Sequence, residues 1–280
     1  MSNAYIDLAQ VKSVAGLNLG TGTAYDTRLR VIAEAISRQL DSFCNRRFYY
    51  SVDTRQFDGN GDSSLILPDV ISIGTISEDT NSDGTFETDW AATDFILYPR
   101  NASPTSRDSG RPYTEIHVST LSNSTQDTFL TGQSNYRIIG TWGYWKVSRS
   151  SGLTGSLTDA TGTSLVLSGS ATSVVEIGHT VLVNDEQVYV TSTTGTSATV
   201  VRAVNGTTGT AHLAQAVSII EYPQPVTEAC FIQLSRLWKR KDSGYANQIG
   251  IAETGQMITW RGGLDPDSTL LLRPYRRIPV

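Results

Sequence analysis

From Asp79 to Glu87 the chain reads Asp-Thr-Asn-Ser-Asp-Gly-Thr-Phe-Glu. Oxygen-bearing side chains at alternate positions can wrap a hard cation. Asp79, Asn81 and Asp83, with Gly84 after them, match the first, third, fifth and sixth positions of an EF-hand calcium loop. The twelfth position, where such a loop carries a bidentate Glu, is Trp90 here. Without that residue the site lacks two oxygens and a charge. The stretch therefore reads first as an Asx- and Gly-rich hairpin tip between Ile76 and Phe86, with calcium as the weaker alternative and no other cofactor expected.

Other chemistry is sparse. Trp142, Tyr144 and Trp145 could offer a platform for stacking sugars or bases, but aromatics at strand spacing more simply close a β-core. His117, His179 and His212 lie far apart in sequence, none with a second His, Cys or paired carboxylate at ligand spacing. No nucleophile elbow, P-loop or dinucleotide fingerprint occurs. The expectation is three structural histidines and no enzyme. Cys44 and Cys230, the only cysteines, fall on the apolar stripes of two predicted helices and read as reduced core thiols.

The elements that would position these groups follow from periodicity. A short helix is expected over Ile6 to Leu17, with Asp7 as cap and Gln10 three residues on. A long one is expected over Asp26 to Phe48, capped by Asp26, with Leu29, Ile32, Ala33, Ile36, Leu40, Phe43 and Cys44 on one face. Short apolar runs closed by Pro, Gly or Asp then spell strands from residue 51 to 147, among them Leu65–Leu67, Val70–Ser77, Phe95–Tyr98 and Tyr136–Thr141. Asp58 to Asp62 reads as a hairpin turn. Ser148 to Ser164 reads as a Ser/Gly/Thr linker, followed by a second set of strands up to Tyr222. Joining residue 147 to residue 223 would run a strand straight into the last long helix, Val226 to Arg240, so residues 148–222 read as an insertion. Asp265 opens a final short helix, and Arg273 to Val280 reads as an extended tail because of Pro274 and Pro279. The fold class expected is α+β: a small helical bundle from residues 1–50 and 223–280, a central antiparallel β domain over 51–147, and an inserted β module over 148–222.

Charge is unevenly spread. Residues 1–50 carry six Lys/Arg against four Asp/Glu and residues 223–280 eight against five, so the helical ends total +5. Residues 51–222 total −10. No basic face of the kind that grips nucleic acid dominates. No apolar run reaches membrane-spanning length and the N-terminus lacks a basic-then-apolar signal, so synthesis in the cytoplasm and no membrane partner are expected.

Several stretches together resemble the head-to-tail adaptor (connector) proteins of long-tailed bacteriophages. They are Leu40-Asp-Ser-Phe-Cys-Asn-Arg-Arg-Phe48, Leu65-Ile-Leu-Pro-Asp69, Asp94-Phe-Ile-Leu-Tyr-Pro99, Gly140-Thr-Trp-Gly-Tyr144, Leu237-Trp-Lys-Arg-Lys-Asp242 and Leu272-Arg-Pro-Tyr-Arg-Arg277. The inserted unit, with Asp185-Glu-Gln187, Arg202-Ala-Val-Asn-Gly-Thr-Thr208 and His212, is similar to a small β module of phage structural proteins. The resemblance implies a structural protein of the virion neck, forming a homo-oligomeric ring, commonly of twelve copies in that family. Such a ring docks on the portal protein and is followed by a stopper or tail-completion protein, with double-stranded DNA passing through its lumen unread. On this reading Arg273, Pro274, Tyr275, Arg276 and Arg277 form the portal interface, because Tyr and Arg anchor interfaces. The helix-end residues Arg46, Arg47, Lys239, Arg240 and Lys241 are assigned to contacts between ring subunits. The rival expectation is a carbohydrate- or receptor-binding β module using the rings near Trp142 and Trp145.

Overall fold

The computed structural model of the chain describes residues 3–278 except 14, 109, 122–123, 172–173, 242–247, 252–255 and 260–262. Asp242, Pro279 and Val280 of the expected motifs lie outside the described residues. Strand outweighs helix and the sheets are antiparallel. The chain divides into two compact units, one of Met1–Asn45, Arg149–Val204 and Gly209–Val280, the other of Arg46–Ser148 and Asn205–Thr208.

The first unit begins with α1 (Leu8–Lys12), where the Asp7 side chain accepts the Gln10 N–H at 2.7 Å as a cap should. This helix is shorter than expected because the chain turns back at once, the Leu17 N–H meeting the Val11 carbonyl at 2.9 Å. Next comes α2 (Asp26–Cys44), whose Leu29, Ile32, Ala33, Ile36, Leu40 and Cys44 are buried, while Phe43, expected on the same face, is only half-buried. It ends before Phe48 because Asn45 takes the left-handed conformation, φ 52°, that closes many helices. Asp26, expected as its cap, is instead the first helical residue and takes the Lys12 ammonium at 2.7 Å.

The second unit is a sheet of β1 (Ser51–Gly59), β2 (Ser64–Glu78), β3 (Thr88–Asp89), β4 (Phe95–Tyr98), β5 (Tyr113–Val118) and β6 (Gly132–Trp142). Its order is β1-β6-β2-β5-β4, with β3 beside β2. The Asp58–Asp62 turn therefore does not join paired neighbours, since β6 lies between β1 and β2. That strand brings Tyr136, Ile138 and Trp142 into the core with Leu67, Val70, Ile76, Trp90, Ile116 and Phe129, and apolar weight of this kind belongs at a sheet centre. The two expected strands at 65–67 and 70–77 are one. The first half of β2 pairs with β5 and the second with β6, and its register shifts between Ile66 and Val70, where Pro68 withholds a ladder donor.

The expected linker after residue 147 is a strand. β7 (Val147–Leu157) joins β8 (Ser164–Leu167), β9 (Thr180–Val183), β10 (Glu186–Thr194), β11 (Ser197–Val201) and β12 (His212–Glu221) in a closed barrel of order β10-β11-β8-β7-β12-β9. The strand is hard to read because Ser, Thr and Gly dominate it and only Leu153 and Leu157 follow Val147 as large apolar residues. A Cβ on Gly155 would stand 2.8 Å from Leu165 and Val217 side-chain atoms, which would have to shift to admit it. Leu157, Leu165, Val181, Val188, Val200, Val217 and Ile219 fill the interior. The barrel and the helices share the first compact unit, whereas the sequence reading draws residues 148–222 as a part of their own. Tyr189 of β10 donates to Glu34 of α2 at 2.7 Å, and Thr180 donates to Asn3 at 2.8 Å.

From the barrel the chain enters α3 (Gln224–Arg240), with Pro225 in its first turn, where the missing N–H costs nothing. Val226, Ala229, Cys230, Leu234 and Trp238 are buried, and Cys230 Sγ lies 3.8 Å from Ser37 Oγ of α2. Both cysteines are buried thiols outside any disulfide, as expected, and burial pushes the Cys230 thiol up to about 12. A ribbon of β13 (Gln248–Ile251) and β14 (Gln256–Thr259), for which no element was expected, precedes α4 (Pro266–Leu272). This last helix packs on α3, where Ser268 Oγ donates to the Ala229 carbonyl at 3.1 Å. Leu234 is wholly buried, so Leu234→Ala is expected to cost about 2–5 kcal/mol in urea unfolding, with an unchanged denaturant slope. A cost below about 1 kcal/mol would contradict the packing of α3 in the core.

Candidate functional site

The C-terminal arginines do not hang free as an extended tail. Arg273–Tyr275 form one turn of 3-10 helix continuing α4, with Pro274 in the turn, where a proline is tolerated. The chain then runs to the C-terminal end of α2. There the Arg277 N–H donates to the Cys44 carbonyl at 2.8 Å, one of the carbonyls a helix end leaves without an internal partner. The Arg276 guanidinium lies 5.7 Å from the Phe43 ring centroid. Positive groups at this position also meet the negative end of the α2 dipole. Tyr275 is half-buried, and burial raises its phenol. Arg273, Arg276, Leu270 (68 % exposed) and Ile278 (81 %) remain outward, making a mixed basic and apolar surface.

The helix-end residues fall in different places. Lys239 and Lys241 are exposed and Arg240 is half-buried at the end of α3. The Lys241 Nζ sits 4.9 Å over the Trp238 ring, which meets Tyr25 edge-on at 5.3 Å. Tyr25 immediately precedes the first residue of α2, so the Lys239–Lys241 group and the Arg273–Arg277 group occupy opposite ends of a helix about 28 Å long at about 1.5 Å per residue. Arg46 and Arg47 belong to the second unit. Arg46 turns inward, 3.5 Å from Asp69 and 5.1 Å from the Tyr144 ring centroid, while Arg47 is exposed beside Tyr49.

In the Asp79 loop the oxygens mostly serve backbone amides. Asp79 accepts the Ser82 N–H at 2.6 Å and the Gly84 N–H at 2.8 Å, Asn81 accepts from Asp83, and Asp83 accepts from Thr85. Asp79, Asp83 and Glu87 can still bring three carboxylate oxygens within 4.8 Å of one another, a set able to hold a divalent cation. Glu87, which the motif comparison did not single out, replaces Asn81 in that set. Trp90 at the twelfth position is buried and donates its Nε1–H to Glu78 at 2.9 Å, so it is a core residue.

Each histidine meets a carboxylate, against the expectation that none has one paired with it. Glu115 and Glu176 are near neighbours of His117 and His179 in sequence, whereas Asp7 and Glu186 come from distant segments. His117 Nε2 is 3.0 Å from Glu115. His179 Nε2 is 3.7 Å from Asp7 Oδ2, with Glu176 near enough to complete a three-ligand set. The Glu176 N–H donates to His179 Nδ1 at 3.0 Å, which leaves the ring proton on Nε2, the atom a metal would need. This cluster therefore suits a clamp on the N-terminal segment, and Glu176 also accepts the Ala9 N–H at 3.0 Å. Burial and the Asp7 charge raise the Glu176 carboxyl.

The strongest polar site is Glu186, almost wholly buried in the barrel. Arg202 grips it in a two-pronged pair, Nε to Oε1 and Nη2 to Oε2 at 2.7 Å each, and His212 Nε2 lies 2.9 Å away. The Ala203 and Thr210 N–H groups also donate to it. The remaining Arg202 donors close on the Asp159, Gly162 and Thr210 carbonyls. Residues 186, 202 and 212, singled out only as parts of a phage-like module, are thus one clamp that ties the β9–β10 turn to the loop before β12. None of the protein-family models matches the chain, and no curated protein matches it.

Burial pushes the Glu186 carboxyl up, but Arg202, His212 and the two amides outweigh it and hold its pKa at about 2. Because the folded value lies below the ordinary one, the clamp stabilises the fold fully above about pH 4.5. That contribution fades as the pH falls toward 2. Acid unfolding followed by circular dichroism should therefore be less steep across this window in Glu186→Gln. Arg202→Met, which strands a buried charge, should cost about 3–5 kcal/mol near neutral pH.

Proposed function

We propose that the chain is a structural virion protein, a head-to-tail adaptor forming a homo-oligomeric ring in the neck between portal and tail-completion proteins. In this reading α2, α3 and α4 are the small helical bundle of the adaptor core, and the ring is a conduit for double-stranded DNA. The observation that carries the proposal is the C-terminal surface: a short helix and turn, pinned to the end of α2, presents Arg273, Arg276, Leu270 and Ile278 outward. A pinned segment loses little entropy on docking, and an apolar-plus-Arg surface is what a protein partner recognises. The acidic balance of residues 51–222 supports the conduit, since a wall rich in Lys and Arg would hold the phosphates. The glycan-binding alternative required an exposed aromatic platform, and Trp142, Tyr144 and Trp145 are all buried.

Binding to purified portal rings, followed by negative-stain microscopy and sedimentation, tests this reading. The pair Arg273→Glu with Arg276→Glu, and separately Ile278→Asp, should each weaken portal binding by about tenfold or more with the melting temperature unchanged. Undiminished binding in both would move the portal contact to the Lys239–Lys241 or Arg46–Arg47 helix ends.

A further inference from the structure

The sheet unit is electrically polar along its strands. At one end, the Gly143 N–H donates to Asp69 O (2.9 Å), Tyr144 N–H to Arg47 O (2.9 Å) and Lys146 N–H to Pro104 O (2.8 Å). These bonds gather Arg47, Lys146 and the β4–β5 connection around the buried Trp145. Arg47, Arg100, Arg107, Arg111 and Lys146 are all exposed there, and Asp108 is the only exposed acid on that connection. At the other end, the Gly61 N–H donates to Phe129 O (2.7 Å), Ser119 N–H to Asp94 O (2.7 Å) and Asp79 N–H to Asn135 O (2.8 Å), which ties three turns together. That end exposes Asp58, Asp62, Asp83, Glu87, Asp89 and Asp127. Its one base, Arg137, is half-buried and stacked 4.4 Å from the Phe86 ring centroid.

A molecule with a basic pole and an acidic pole on one rigid sheet is complementary to itself, head to tail. The geometry points to a second copy of this chain as the occupant of both poles, the Arg100/Arg107/Arg111 end of one copy facing the Asp62/Asp127 end of the next. Such a contact uses two different patches, so it propagates around a ring or along a filament and does not stop at a dimer. This inference rests on the ring reading above and names the faces that would make the ring. Contacts of this kind steer association and weaken as salt screens them.

The test reverses each pole. Arg100→Glu with Arg111→Glu makes the Arg100/Arg107/Arg111 face acidic, like the Asp62/Asp127 face it would meet, and Asp62→Lys with Asp127→Lys makes the Asp62/Asp127 face basic, like its partner. Asp58, Asp83, Glu87 and Asp89 are left intact because their carboxylates accept hydrogen bonds within the unit. Circular dichroism and melting temperature confirm that each variant is folded. Oligomer size is then read by sedimentation and mass photometry for wild type, each variant alone, and the two mixed. Assembly by wild type, loss of at least about tenfold in association by each variant alone, and recovery on mixing are expected. Wild-type assembly that survives both reversals, or that is lost without recovery on mixing, overturns the pole-to-pole contact while leaving the ring reading standing. A wild type that stays monomeric at every concentration, with and without portal, overturns both.

Discussion

Helix α2 is the beam on which the first unit hangs, because its buried stripe is longer than any one neighbour can cover. The N-terminal segment lies along it, the Tyr5 N–H donating to Ser37 and the Tyr5 hydroxyl to Asp41 at 2.9 and 2.6 Å. Lys12 fastens the first turn through Asp26, α3 packs at Ser37 and Cys230, and the barrel reaches in through Tyr189 to Glu34. The C-terminal segment takes the last carbonyl. A single helix of this length is marginal in water and is stabilised by what packs on it. The C-terminal surface therefore inherits its position from α2.

Much of this was legible in the chain. The long helices announce themselves by the 3.6-residue period of Leu29 to Cys44 and of Val226 to Leu234, and the sheet strands by alternation and their closing Pro, Gly or Asp. What escaped has physical causes. β7 was read as linker because Ser, Thr and Gly face outward or into a crowded wall, leaving only Leu153 and Leu157 to mark a period. The Arg202–Glu186–His212 clamp joins residues sixteen to twenty-six positions apart, and no local period encodes a pairing made by barrel closure. The 3-10 turn at Pro274 escaped because proline excludes a helix interior while fitting a first turn. The interface residues were legible as types but not as groups. Sequence places Arg46 and Arg273 alike near helix ends, and only packing shows one turned onto Asp69 and the other facing outward.

Buried acids in this protein are neutralised in two ways. Glu186 has a guanidinium, whereas Asp94 relies on dipoles: burial would raise its carboxyl, but the Thr125 and Ala91 N–H groups more than offset this and lower it. Glu78 takes the Tyr136 hydroxyl at 2.5 Å and the Trp90 indole at 2.9 Å. Dipole-held carboxylates tie loops without consuming bases. In the sheet unit Arg46 pairs with buried Asp69 and Arg137 stacks on Phe86, while Arg100, Arg107 and Arg111 are exposed together on the β4–β5 connection.

The barrel carries a topological consequence of its own. The chain enters it on β7 and leaves it on β12, and these two strands are neighbours in the closed order. Entrance and exit therefore stand about 5 Å apart across one ladder spacing, whatever length of chain is wound between them. To the flanking polypeptide the barrel is a nearly zero-length detour. Lineages could enlarge, exchange or lose such a cassette without re-spacing the strand before it or the helix after it. The adjustments required would be new partners for Glu34 on α2 and for the N-terminal segment at Asn3, Asp7 and Ala9.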